Sequence, residues 1–293
     1  MEVLPVHRRQ SDSASSASSF RSRGVPEAGA FDSMRDRTRY GDDGSSVFGD
    51  VFPFLRPFLR RAVHWNQMDF EAAVDEMLSL LVAQPSRVYK QAYYRKQTKN
   101  RWARDDPAFA VCQVAFLVVA AVATGCALRA RRVVTFAYLA FAATVLHWLV
   151  GGVVASSAHS WLSNAYLRER SWSTHSVDQK VEWLYAFDVH CNAFWVYFAV
   201  AYVAHYFLLP VVLGHSFVAM LLANSLHCFA FSSYFYVTHL GFRALPYLRR
   251  TEVFLYPIVA AVALLIATIA LGILGYKINA SKISIAAVIA PLT

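Results

Sequence analysis

Five stretches of the chain run apolar without a lysine or arginine: about 108–128, 133–155, 193–213, 217–240 and 253–275. A helix rises about 1.5 Å per residue, so about 20 residues cross the hydrocarbon of a bilayer. Each run is long enough, and the pattern predicts an all-α, multi-pass bundle of five transmembrane helices. The second run continues as SSAHSWLSNAYL, which predicts a helical extension into the interface. The run ISIAAVIA at 283–290 is apolar but too short to span. Ahead of the spans the period changes. In QMDFEAAVDEMLSLLVA, residues 67–83, Phe70, Val74, Met77 and Leu81 recur at helical spacing, with Asp69 placed to cap the start and Pro85 beyond the end. Four acids and seventeen residues make this an amphipathic helix and not a span. The segment VFPFLRPFLRRAVHW at 51–65 mixes Phe54, Phe58, Leu59 and Trp65 with Arg56, Arg60 and Arg61. It fits an interfacial position in the headgroup layer, and equally a packing role against the bundle.

Composition agrees with a lipid-embedded body. Of the 293 residues 57% are hydrophobic and 16% charged, against roughly 25% charged in an average soluble domain. The charge is also uneven: residues 1–107 hold 17 of the 28 lysines and arginines and 14 of the 19 acids. That divides the chain into a Ser/Arg-rich tail over 1–50, expected to be disordered, and an amphipathic, basic helical region over 51–107. The span bundle over 108–275 and a short tail over 276–293 complete it. The first fifty residues show no apolar core of a signal peptide. The net charge of +9 invites a nucleic-acid reading, but no reading module accompanies it, so topology and anionic lipid are the preferred explanation. The four cysteines form no C-x-x-C pair and read as small buried thiols.

Placing the N-terminus in the cytosol puts 13 lysines and arginines on the inner segments 87–107, 156–192 and 241–252. Only 5 then fall on the outer segments 129–132, 209–216 and 276–293. The positive-inside rule therefore favours a cytosolic N-terminus and a lumenal C-terminus, with Arg129, Arg131 and Arg132 opposing it. Five spans do not divide into two equal halves, which counts against an inverted-repeat transporter.

Two constellations carry polar chemistry at the membrane boundary. In RKQTKNRWARDDPAF, residues 95–109, Arg95, Lys96, Arg101, Arg104, Asp105 and Asp106 precede the first span. Paired carboxylates suit a metal or acid–base work, but acids at a helix start more often cap it and complement its dipole. In VEWLYAFDVHCNAFW, residues 181–195, Asp188 and Asn192 share a helix face with Tyr185, while His190, two residues on, points away. Glu182 lies one or two turns earlier. A polar network gluing helices together is preferred over an ion or headgroup site, with Arg104, Arg243 and Arg249 as candidate partners for Asp188. Seven scattered histidines, His190 and His239 among them, show no metal spacing, and Asn279-Ala280-Ser281 is a sequon close to the fifth span. No nucleotide loop, catalytic triad or zinc motif is present, so neither a cofactor nor an enzymatic activity is expected.

Three blocks together resemble a known family. They are QMDFE at 67–71 with the P-x-x-V-Y of 85–89 and YRKQTKNRWARDDPAF at 94–109; VEWLYAFDVHCNAF at 181–194; and YVTHLGFRALPYLRRTEVFLYP at 236–257. Their order and the span count resemble the Unc-fifty family of Golgi membrane proteins over roughly 55–275, with His239 standing where a bulky apolar residue is expected. The resemblance implies a five-span protein of Golgi traffic, concerned with receptor cargo and with docking the guanine-nucleotide exchange factors that activate Arf GTPases. The cytosolic surface would come from 55–107, 156–182 and 241–252. The alternative is an ion- or lipid-handling membrane protein built on Asp188, Asn192 and Glu182.

Overall fold

The computed structural model describes residues 60–64, 66, 68–82, 85–169 and 179–289. The 1–50 tail, most of the 51–65 segment and part of the connection at 170–178 lie outside the described residues. Among the described residues from Phe70 onward, eight helices follow in order. They are α1 (Phe70–Leu81), α2 (Pro85–Lys99), α3 (Ala108–Ala127), α4 (Val133–Leu167), α5 (Trp183–Val212), α6 (Phe217–Arg243), α7 (Thr251–Ile273) and α8 (Ala280–Ile289). Among the described residues five helices, α3 to α7, are long and apolar enough to cross a membrane. The protein is a multi-pass, all-α membrane protein. No strand occurs among the described residues; an isolated antiparallel bridge joins Arg168 to Leu248 and ties the end of α4 to the end of α6.

Two span boundaries differ from the apolar runs. α4 reaches Leu167, so the polar SSAHSWLSNAYL extension is helical throughout, with wide π-type turns at Ala142–Val150 and Ser163–Leu167. α5 begins at Trp183, ten residues before the apolar run, because Glu182, Asp188, His190 and Asn192 depress local hydropathy without interrupting the helix.

Helices α4, α5 and α6 form the centre. Along α4, Gly152, Ser156, Ser160 and Ser163 are buried where it packs on α5. Lipid tails offer no less apolar contact than a neighbouring helix, so close approach at small residues is what favours association. A Cβ added at Gly152 would stand 2.7 Å from the His190 ring. α7 packs on α6 and otherwise exposes Val259, Leu264 and Ile266, as a lipid-facing helix does.

At one end of the bundle α1 and α2 pack on the spans. α1 is capped by Asp69, whose Oδ1 accepts from the Ala72 amide at 2.9 Å, as its sequence position predicts. Its inward face is Ala73, Glu76, Met77 and Leu80, rotated from the apolar stripe read from the periodicity. Val74, Leu78 and Leu81 are exposed, and Glu71 and Asp75 form the remaining side. The reason lies in depth. The Trp195 indole N–H donates to the Met77 carbonyl at 2.9 Å, and the Trp195 ring lies tilted against Phe116, both inside spans. α1 therefore packs alongside the spans themselves, and its exposed side carries Val74, Leu78 and Leu81, an apolar stripe of the kind that suits lipid, next to Glu71 and Asp75.

At the other end the chain turns at Gly275 (φ 98°) and α8 folds back onto α6. The residues expected as a short tail are thus built into the bundle. The Asn224 amide donates to the Ile278 carbonyl at 2.9 Å and its oxygen accepts from the Ala280 N–H at 2.9 Å. The sequon residue Asn279 is buried, its amide donating to the Val212 carbonyl at 2.7 Å. Asn279 is accordingly expected to carry no glycan. Endoglycosidase treatment should leave the mobility of the protein unchanged, and a shift would show that this end is not packed as described.

Candidate functional site

The first two blocks quoted above meet at Arg104, and the third packs beside them through Tyr247 on Trp102 and through the carbonyls of Val237 and Gly241. The chain reaches Arg104 from α2 through a left-handed Asn100 (φ 54°) and buries Trp102 and Ala103 on the way. Trp102 lies edge-on to Tyr185 at 6.0 Å, with Tyr93 and Tyr247 at 6.1 and 6.3 Å, and the Lys96 ammonium stands 5.9 Å from its ring. That aromatic plug fixes where the next residue falls.

Arg104 is 8% exposed and reads α5 twice. Its backbone N–H donates to Asp188 Oδ2, and its guanidinium Nη2 donates to Asn192 Oδ1. One turn of helix separates the two acceptors, so a single residue registers loop against span. Nε stands 3.0 Å from Glu76 Oε2, and the guanidinium carbon lies 4.3 Å from the Phe109 ring centroid. Arg95 approaches the other oxygen of Glu76 at 3.5 Å. Burial alone would push the Arg104 guanidinium down, but Glu76 and then Asp188 outweigh it, and its pKa is raised. Arg104 thus ties α1 to α5, and it is the partner of Asp188 among the three arginines considered; Arg249 pairs with Glu169.

Around this centre the acids act as caps and clamps. Asp106 accepts from the Ala108 amide at 2.9 Å at the start of α3 and from the Asp69 amide at 2.8 Å at the start of α1. One carboxylate thereby sets both helix starts. Asp105 accepts from Lys99 at 2.8 Å and lies 3.8 Å from Arg101. Lys96 also donates to the Asn100 carbonyl at 3.1 Å. Arg95, Lys96 and Arg101 thus each also have a contact within the protein. Glu182 is the half-buried N-cap residue of α5, six residues before Asp188, and takes no part in the contacts of Arg104.

His190 faces the other way, as its spacing implies. Its Nδ1 is 2.9 Å from the Tyr234 hydroxyl and its Nε2 is 3.2 Å from the Trp148 carbonyl. The same tryptophan donates its indole N–H to Gln113 at 2.7 Å, and Gln113 donates to the Cys191 carbonyl at 2.9 Å. This second network joins α3, α4, α5 and α6. The buried His239 pairs its Nδ1 with the Thr251 carbonyl at 2.9 Å.

Sequence reasoning missed Glu76, Tyr89 and Gln113. Tyr89 and Tyr185 donate to the α6 carbonyls of Val237 and Gly241, at 3.0 and 2.7 Å. Gln113 had a usable signal, a lone amide inside an apolar span. The charged and amide groups at Arg104 are spent on one another, so the arrangement locks elements together; no acid–base pair stands open to a substrate in it.

A model of the UNC-50 family matches residues 58–286. A protein of Dictyostelium discoideum named "Protein unc-50 homolog" is 42% identical over 236 residues, covering 80% of this chain and 90% of its own length. "Protein unc-50" of Caenorhabditis elegans is 40% identical over 230 residues, 78% of this chain and 73% of its own. "Protein unc-50 homolog" of Homo sapiens is 40% identical over 217 residues, 73% and 81% respectively. No solved structure matches.

Proposed function

On the premise that the chain belongs to the UNC-50 family, we propose that it is a non-enzymatic Golgi protein of vesicular traffic whose α1–α2 end faces the cytosol. There it docks Arf guanine-nucleotide exchange factors and assists receptor cargo. The observation that carries this reading is the rigid mount of that end. A docking platform on a membrane has to hold its shape against the bundle. Here Arg104, Asp106, Tyr89 and Trp195 each tie α1, α2 or the 100–107 segment to a span or to one another. The charge asymmetry between the two sets of connections supports the orientation. Asp188 and Asn192 are occupied by Arg104, and Glu182 takes no part in those contacts, which weighs against the ion- or lipid-handling alternative at that cluster.

A promiscuous biotin ligase fused ahead of residue 1 tests compartment, orientation and partner together. Labelling of Golgi proteins and of cytosolic Arf exchange factors is expected. Labelling of lumenal proteins alone, or of another compartment without exchange factors, would sink the proposal.

A further inference from the structure

Where α2 crosses the end of α6, a groove of about 590 Å³ opens between them. Lys90, Tyr93 and Tyr94 line it from α2, and Leu240, Arg243 and Ala244 line it from α6 and the residue after it. Several cations at this end are already paired. Arg95 and Arg104 share Glu76, Lys99 and Arg101 share Asp105, and Arg249 takes Glu169. Lys90 and Arg243 are exposed and have no carboxylate partner among the described residues, yet both line one groove. Two uncompensated cations lining one cleft favour an anion there.

Its depth narrows the choice. Arg243 is the last residue of the α6 span, so its guanidinium stands at the level where a bilayer carries its phosphates. Leu240, one turn deeper, and Ala244 give the groove apolar wall, which suits the glycerol and first methylenes of a lipid. Tyr93 and Tyr94, 46% and 65% exposed, place amphipathic rings at the same boundary and offer hydroxyl donors. An acidic peptide would meet the charge but has no use for an apolar wall below headgroup level.

We propose that the α2–α6 groove binds the headgroup of an anionic membrane lipid bearing a phosphate monoester, with Lys90 and Arg243 on the phosphate. A monoester carries about −1.5 to −2 at neutral pH, which two cations match and a single diester charge does not. The site stands on its own geometry and does not depend on which soluble protein docks alongside it.

The test uses the full-length protein in phosphatidylcholine nanodiscs doped with phosphatidylinositol monophosphate, phosphatidylserine or neither, with retained lipid read by native mass spectrometry. The wild type is expected to retain the monophosphate lipid above the other two. Removing one cation, in Lys90→Gln or Arg243→Gln, should cost about fivefold, and the double variant should lose the preference. Lys90→Arg should keep it, as should Arg132→Gln at the far end, and both report that the fold survives. Equal retention of all lipids by the wild type, or undiminished preference in the double variant, would overturn the site. Soluble inositol phosphate displacing the lipid at equal concentration would reassign the ligand to free phosphate. Displacement by an acidic peptide alone would reassign it to a protein. Either outcome defeats the lipid assignment.

Discussion

Arg104→Leu is expected to destabilise the protein by about 3–5 kcal/mol, the cost of leaving a buried ion unpaired. The substitution strands Glu76, 8% exposed, with only the longer contact to Arg95, and removes the donor to Asn192. Arg104→Lys should fall between, since one ammonium cannot hold Glu76 and Asn192 in the fork geometry of a guanidinium. The backbone bond to Asp188 survives both changes, which separates the two roles of the residue. Asp188→Asn keeps an oxygen for that N–H and should be mild. Asp188→Leu leaves the buried amide unsatisfied and should cost about 1–3 kcal/mol. The checks are unfolding midpoints and abundance for all four variants. Asp188→Asn at normal abundance but without function would show that the carboxylate acts chemically. An Arg104→Leu protein as stable as the wild type would remove the cluster from the account of the fold.

The second large effect is expected at Gly152, and its sign has to be worked out. Alanine is favoured over glycine in a helix by about 1 kcal/mol. At Gly151 the nearest atom to an added Cβ is the Leu146 carbonyl oxygen at 3.7 Å, so Gly151→Ala should be neutral or stabilising. At Gly152 the same Cβ meets His190 at 2.7 Å and Phe187 at 3.0 Å. The imidazole cannot retreat without losing Tyr234 or the Trp148 carbonyl. Overpacking costs about 1–3 kcal/mol, so Gly152→Ala should be net destabilising and Gly152→Leu severely so. Thermal melts of the two adjacent alanine variants decide it; equal behaviour would mean that α4 does not approach α5 as closely as described.

The five spans were legible because nothing but a bilayer asks for twenty apolar residues in a row. Their ends were less so. Hydropathy placed the third span at 193, whereas Asp188 and Asn192 lie inside α5, since a carboxylate with a buried partner is no obstacle to a helix. The sequence offered Arg104 among the partners of Asp188, and the two are joined, but Glu76, which shares Arg104, was not singled out. Glu76 escaped notice because a helix at the membrane boundary has two apolar surroundings, protein and lipid. Periodicity marks Phe70, Val74, Met77 and Leu81 without saying which they meet. Only the packing shows that the inward face carries a charge and the outward one carries leucines. The pairing of distant carbonyls such as those of Val237 and Gly241 with Tyr89 and Tyr185 leaves no trace in local sequence at all.

The hydrogen bond from Tyr89 to the Val237 carbonyl joins residues 148 apart in sequence. α2 leaves the ribosome before any of the five spans, yet its contacts on α6 do not exist until the fourth has been made. At about 5–20 residues per second, the interval is about 7–30 s. During it α1 and α2 have no complete seat, and the apolar stripe of α1 stands next to a growing, unfinished bundle. The assembly of this end is therefore timed by translation of the far half of the chain. A nascent polypeptide halted before residue 237 would present α2 to the quality-control machinery with nothing to close against.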